Sequence, residues 1–473
     1  MLFSSHIFLF LFLPITLAGY FLLHKSYRNL FLLVMSLGFY AWGEPRFVLV
    51  MAASILFNYV SGLLVGRFRQ RQALAKCLLG LCLAGNLGLL FIYKYADFVI
   101  GNLNRFGLGL PLTNLVLPLG ISFFTFQAMS YVIDVYRGTV QAQPKLQNVS
   151  LYIAFFPQLI AGPIVRYKDI EAQIEDREIR FDEFSEGIKR FIIGFSKKIL
   201  LANQMAVIAD RAFAMPDAER SIVYAWLGAI AYSLQLLFDF AGYSDMAIGL
   251  GKMFGFRFME NFNYPYISKS IIEFWRRWHI SLGQWFRDYV YFPMGGSRVK
   301  GVGRLVFNIF IVWFLTGVWH GANWTYVVWG LLNFVLIAFE RLSGYPDKFK
   351  TAPAKEAYRV FMLVWVLFGM MVVRSANITA AYTYGLSMLG LQGNSLFCDN
   401  VIWAFREHWL FLAAAILCST ELIKRLSERL QKAGSILRGA AGTAAIGFYM
   451  FCLVWSVSFI VLGAHNPFIY FNF

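Results

Sequence analysis

The chain has 473 residues, 59% of them hydrophobic and 14% charged, with a formal net charge of +16. Soluble domains carry roughly 25% charged residues, so this composition excludes a soluble globular fold and indicates an all-α polytopic membrane protein. The positive balance is no nucleic-acid signature, because no basic run is interleaved with aromatics on a soluble domain; Lys and Arg collect instead in cytoplasmic loops.

The first apolar run, 2–23, has no Lys or Arg ahead of it and is too long for a signal peptide. Lys25 and Arg28 follow it. That order predicts a retained helix with its N-terminus outside. Further apolar runs predict spans near 30–42, 47–66, 77–96, 115–136, 188–209, 222–241, 305–319, 324–340, 358–376, 409–424 and 440–463. About eleven or twelve transmembrane helices result, in a single integral domain over 1–473 whose core motifs fall in 115–340. Charge counting orients them. Inside segments 67–76, 242–304, 341–359 and 424–438 hold four, nine, five and five Lys or Arg, against two in each of the outside segments 94–114, 210–221 and 374–408. Both termini are then expected outside, in the periplasm if the membrane is a bacterial inner membrane.

Two regions do not fit a plain bundle. Residues 149–165, "VSLYIAFFPQLIAGPIV", are apolar but interrupted by Pro157, Gly162 and Pro163. The flanking loops must share one side, which a re-entrant hairpin satisfies if its irregular backbone packs against protein or lines a wet cavity. The mixed-charge stretch that follows, "RYKDIEAQIEDREIRFDEFSEGIKR", reads as a cytoplasmic surface segment. In the second region, "EFWRRWHISLGQWFRDYVYFP", a helical projection puts Trp275, Trp278, Leu282, Trp285, Phe286 and Tyr289 on one stripe about 100° wide. Arg276, Arg277, Gln284, Arg287 and Asp288 fall opposite. This predicts an interfacial helix with its aromatic face in the membrane and His279 directed inward.

The five cysteines form no CxxC or zinc spacing, and no metal site is expected. The chain has no GxSxG, GxxxxGK[ST], HExxH or Rossmann glycine pattern, so hydrolase, ATPase and dehydrogenase readings lack their parts. What stands out is His320 in "TGVWHGANWTYVVWG", flanked by apolar and aromatic residues. An ionisable group at membrane depth is expensive and is a functional candidate by default. A buried imidazole favours its neutral form, the form a general base requires. It could equally be a satisfied structural residue or a proton relay. Gly317 and Gly321 flank it and Asn323 follows, a pattern that permits close approach of a helix or a ligand. A proton-coupled carrier and a non-catalytic scaffold are the competing classes. Against the carrier, intramembrane acids are scarce, with Asp239 and Asp245 the nearest.

Three stretches, "FFPQLIAGPIVRY" (155–167), "FDFAGYSDMAIGLGKMFGFRFMENFNYPYISKSIIEFWRRWHISLGQWFRDYVYFPMGG" (238–296) and "TGVWHGANWTYVVWG" (316–330), together resemble the membrane-bound O-acyltransferase family. The likeness is strongest to its polysaccharide O-acetylating branch, alginate foremost, with cellulose or another exopolysaccharide as the alternative polymer. The resemblance implies a ring of tilted helices around a central tunnel, with His320 catalytic at its narrowest point and His279 supporting from the cytoplasmic side. It implies acyl transfer from a thioester to a hydroxyl, with acetyl-CoA or another acetyl carrier as donor substrate and no permanently bound cofactor. Arg276, Arg277 and Arg287 could then meet donor phosphates, and His279, Asn323 or backbone N–H groups could hold the oxyanion. The partners implied are periplasmic SGNH-type esterase-like proteins and the polysaccharide synthesis and export machinery.

Overall fold

The computed structural model describes residues 1–160, 162–432, 435–463, 465–467 and 469. Within the tail "NPFIYFNF", residues 468 and 470–473 lie outside the described residues. All regular elements among the described residues are helical. Nine helices there are long and apolar enough to cross a membrane: Pro45–Arg67, Gln72–Asn104, Phe181–Ala214, Ile222–Met253, Val302–His320, Trp324–Ser343, Ala352–Arg374, Asp399–Cys418 and Gly439–Val461. The other three expected spans are also helical, at Phe8–Leu22, Lys25–Gly43 and Ile121–Arg137. The span expected at 409–424 begins ten residues earlier, at Asp399, because Arg406, Glu407 and His408 lower the local apolarity without ending the helix. The outside segment expected at 374–408 contains a further helix, Ile378–Met388.

The chain divides into two compact units, residues 1–191 with 244–259 and residues 192–243 with 260–473. In the first unit the phenylalanine-rich N-terminus forms an aromatic core. The ring of Phe12 packs 5.5 Å from Phe39 and edge-on to Phe156 at 5.3 Å. Phe156 belongs to the broken segment anticipated at 149–165. Helix Leu146–Ala154 stops at Phe155, which is non-helical, and one turn, Phe156–Leu159, follows; from Asn148 onward both pieces are buried. Their freed backbone groups find protein partners. Phe156 N–H donates to Ser36 Oγ (3.2 Å), and Tyr152 donates to the carbonyl of Val165 (3.0 Å). Irregular backbone is tolerable among apolar helices only on such terms.

The same unit holds a reciprocal amide pair. Asn58 Nδ2 donates to Asn86 Oδ1 (3.0 Å) and Asn86 Nδ2 to Asn58 Oδ1 (2.8 Å), joining Pro45–Arg67 to Gln72–Asn104. Both residues are buried. Replacing Asn58 by Ala removes the donor to Asn86 Oδ1, although Asn86 Nδ2 keeps the Cys82 carbonyl (2.9 Å), and is expected to cost about 1–2 kcal/mol. Thermal unfolding in detergent should register that loss, and Asn58→Ala/Asn86→Ala should cost less than the sum of the single changes.

In the second unit, Val302–His320 and Trp324–Ser343 form a hairpin turned by Gly321, Ala322 and Asn323. Two glycines set its spacing. A Cβ on Gly317 would stand 2.6 Å from the Tyr326 carbonyl oxygen, and one on Gly330 would stand 2.5 Å from that of Trp313. At Gly321 the backbone is extended, and the restriction is the Tyr326 ring, 2.2 Å from where a Cβ would lie. Buried acids here are already committed: Asp239 pairs with Lys198 at 2.6 Å. In the first unit, Asp245 pairs with Arg190 at 2.6 Å.

Candidate active site

The single interfacial helix expected over "EFWRRWHISLGQWFRDYVYFP" is broken in the structure. Helix Ile271–Arg277 ends at Trp278, which is extended, and His279 takes a left-handed conformation (φ 43°) before Ile280–Phe286 resumes. The cause is tertiary. The backbone of the 261–263 loop occupies the break, Asn263 N–H donating to the Arg277 carbonyl and Ile280 N–H to the Asn261 carbonyl, both at 2.9 Å. The aromatic stripe is correspondingly not a lipid face: Trp278, Leu282, Trp285, Phe286 and Tyr289 are buried in protein.

His279 does point inward, and is 3% exposed. Asn261 Oδ1 accepts from the Ser281 hydroxyl (2.9 Å) and N–H (3.2 Å), and also faces His279 Nδ1 at 3.2 Å. An amide oxygen only accepts, so this contact favours the tautomer with the proton on Nδ1. The left-handed backbone of a non-glycine residue costs of order 1–3 kcal/mol, and this clamp offsets it. Phe240 packs edge-on to the imidazole at 4.6 Å.

Burial, with a smaller contribution from the neighbouring His320, holds the His279 imidazole well below its usual 6.5. The unfolded chain therefore takes up the proton first as pH falls. Stability should be full above about pH 6.5 and decline below it, by up to about 1.4 kcal/mol per pH unit. Melting temperature against pH should show this slope in the wild type and a flatter one in His279→Gln.

His320 is the last residue of Val302–His320 and is half-buried. Its ring is edge-on to Trp329 at 4.9 Å and lies 5.0 Å from Trp319, which is in turn 6.1 Å from His279. The His320 ring opens on a cavity of about 20 Å³ once the radius of a water molecule is excluded, lined also by Leu236, Phe240, Trp278, Tyr326, Trp329, Met370 and Val373. That is room for a water or a small polar group, since about 10–15 Å³ suffices for one water. One apolar chamber thus has His320 in its wall, and His279 abuts it through Phe240.

The other expected site residues are placed differently. Asn323 caps Trp324–Ser343: its Oδ1 accepts from Thr325 N–H (3.1 Å), and one of its two amide N–H groups goes to the Ala376 carbonyl (2.9 Å). Arg276 is exposed. Arg277 is bound to Glu273 at 2.9 Å, and Arg287 to Asp288 at 2.8 Å. Two supports escaped the sequence reading. Glu340, 3% exposed, accepts from the N–H groups of Ile271 (2.7 Å) and Ile272 (3.0 Å), and from the Tyr358 hydroxyl (2.8 Å). Trp275 Nε1 donates to Asn333 Oδ1 at 3.0 Å. Both bonds tie Ile271–Arg277 to Trp324–Ser343, and so the His279 segment to the His320 hairpin. The available signal was an acid inside an apolar span, obscured by the adjacent Arg341.

Comparison with known proteins completes the picture. A model of the membrane-bound O-acyltransferase family matches residues 140–371, which include both histidines. The chain is 48% identical over 396 residues to "Probable alginate O-acetylase AlgI" of Pseudomonas putida, covering 81% of this chain and 80% of the relative. It is 33% identical over 524 residues to the peptidoglycan O-acetyltransferase of Helicobacter pylori, covering 100% of this chain and 98% of the relative. To the teichoic acid D-alanyltransferase of Bacillus subtilis it is 33% identical, over 55% of this chain and 69% of the relative.

Proposed function

The chain belongs to the membrane-bound O-acyltransferase family and is a multi-pass membrane O-acyltransferase; from that premise we propose that it carries acetyl groups across a bacterial inner membrane for O-acetylation of an exported polysaccharide, alginate or a polymer like it. The observation that carries the reading is His320 in the wall of an apolar chamber, with a second histidine, His279, set beside it through Phe240.

The donor is an acetyl thioester arriving from the cytosol, acetyl-CoA or an acetylated carrier. Arg276 and Arg287, exposed on the segment that charge counting assigns to the inside, meet its phosphates, whereas Arg277 is held by Glu273. The acceptor hydroxyl attacks the thioester carbonyl while His320 accepts its proton. Lying at the C-terminal end of a helix, where the backbone dipole favours positive charge, His320 is suited to the imidazolium that forms. The tetrahedral intermediate expels the thiolate, which takes the proton from His320 and leaves as a thiol. The remaining Asn323 amide N–H and nearby backbone N–H groups are the donors for the oxyanion. His279, clamped by Asn261, holds the donor end of the chamber in shape.

Relatives differ in the acceptor named for them, whereas identity to the alginate O-acetylases is the higher. An extracytoplasmic SGNH-type protein completes transfer to the polymer, and both chain ends face that side. The test is complementation. A strain lacking this chain should secrete polymer without acetyl esters, and the wild-type gene should restore them. Acetyl esters restored on the cell wall and not on the exopolysaccharide would reassign the acceptor, and acetylation that never depended on the chain would end the reading.

A further inference from the structure

A second cleft in the second unit lies apart from the histidine chamber. It has a volume of about 500 Å³, within the range of small-ligand sites, and is bordered by Lys269, Arg277, Arg359 and Arg425 together with Glu273 and Glu421. Four cations face two carboxylates, a surplus of two positive charges. The carboxylates hold part of the set: Glu421 is 2.9 Å from Arg425 and 3.8 Å from Arg277, and Glu273 is 2.9 Å from Arg277. Arg359 is less well satisfied. Its nearest carboxylate, Glu356, is 3.4 Å from the Nη1 atom, and its buried Nε has no acceptor among the described residues. A guanidinium whose Nε–H is withdrawn from water without an acceptor is the configuration an incoming oxyanion relieves.

The depth of the cleft follows from the helix at its rim. In Leu422–Gln431, "LIKRLSERLQ", Leu422, Ile423, Leu426 and Leu430 share one face and are exposed. Lys424 and Arg425 fall away from that face, and Arg429 flanks its edge. An amphipathic helix with bare leucines on one side and bases on the other lies along the headgroup boundary of a bilayer. The cleft opens beside its first turn, where Thr420, Glu421 and Leu422 all border it. Its cations therefore stand at the level of lipid phosphates, on the side where the chain's Lys and Arg are concentrated.

We propose that this cleft binds the phosphate group of an anionic phospholipid, with Arg359 and Arg425 as its principal ligands and Lys269 at its mouth. The bound headgroup bridges the N-terminal end of Ala352–Arg374 to the first turn of Leu422–Gln431. Through Arg277 and Glu273 it also touches the helix that leads to His279.

Native mass spectrometry of the full chain released from nanodiscs tests this. In phosphatidylcholine nanodiscs containing a minority of phosphatidylglycerol, the wild type should retain phosphatidylglycerol preferentially. Arg359→Ala/Arg425→Ala should retain it roughly thirtyfold less. Arg359→Lys/Arg425→Lys should keep most of the retention, which separates loss of charge from loss of folding. Melting temperature serves the same purpose: phosphatidylglycerol should raise it for the wild type and for the lysine variant but not for the alanine variant. Equal retention by the wild type and the alanine variant overturns the proposal. So does displacement of the lipid by millimolar adenosine 3′,5′-bisphosphate, which would make the cleft a site for a soluble phosphoester.

Discussion

His320→Ala should leave the protein folded in the membrane and lower acetyl transfer by roughly 10²–10⁴-fold, the usual contribution of a positioned general base. The expectation rests on place as much as on residue type. His320 closes its helix at the wall of the chamber, between Trp319 and Trp329, and among the described residues lining that chamber it is the one able to accept a proton at neutral pH. A loss confined to kcat, with donor binding unchanged, would show that the ring acts in the transition state. His320→Gln keeps hydrogen-bonding capacity but cannot take the proton, and should be nearly as inactive. Acetylation by purified His320→Ala at the wild-type rate would remove His320 from the chemistry. Esters on secreted polymer, measured beside membrane levels of the variant, provide the readout in cells.

Gly330→Ala should be the most damaging single methyl group in the second unit. Its Cβ would meet the Trp313 carbonyl at 2.5 Å and the Gly317 Cα at 3.2 Å, and neither backbone can turn aside as a side chain could. The two arms of the hairpin would have to part by about 1 Å. Overpacking of this kind costs typically 1–3 kcal/mol, and a displacement of that size at the reacting groups costs about a hundredfold in rate. Gly317→Ala, against the Tyr326 carbonyl at 2.6 Å, should behave alike. Gly303→Ala is the control: it lies on the same helix as Gly317 with nothing within 4 Å of its Cβ, and should be neutral or mildly stabilising. Activity and melting temperature of the three variants test the argument together. If Gly330→Ala is as active as Gly303→Ala, the spacing of the hairpin does not hold His320 in place.

What the sequence disclosed and what it concealed divide along the range of the interactions involved. Each of the twelve apolar runs contains a helix, although 115–120 lies before one and 419–421 interrupts another, because apolarity over a whole span is a local property and lipid permits few alternatives. The interrupted stretch at 149–165 was visible for the same reason, since Pro157 and Pro163 act on their own neighbourhood. The break at Trp278 and His279 was not. Helical periodicity runs through it without a fault, and only the loop carrying Asn261 and Asn263, some sixteen residues earlier, decides that the helix must part there. Inward placement of His279 was read correctly from the projection, whereas the aromatic stripe assigned to lipid is protein interior. Asn323 looked like a donor to the reaction and is first of all a helix cap, a role the sequence "NWT" also fits. Glu340 went unnoticed because a hydropathy scan treats an acid near the end of a span as a boundary, although this one is buried under the first turn of another helix.

The Lys198–Asp239 contact bears on how this chain can vary. Both side chains are almost wholly enclosed, and Asp239 immediately precedes Phe240, the ring that packs on His279. Asp239 also accepts from the N–H of Ile469, and Lys198 donates to the carbonyl of Pro467, so a short piece of the tail is threaded onto the same two charges. Changing one partner strands an enclosed charge, which is far worse than exchanging both for apolar residues of similar size. Descendants of this gene are therefore confined to moving the two positions in concert, and drift at Pro467 or Ile469 is judged by a pair of ions more than two hundred positions upstream.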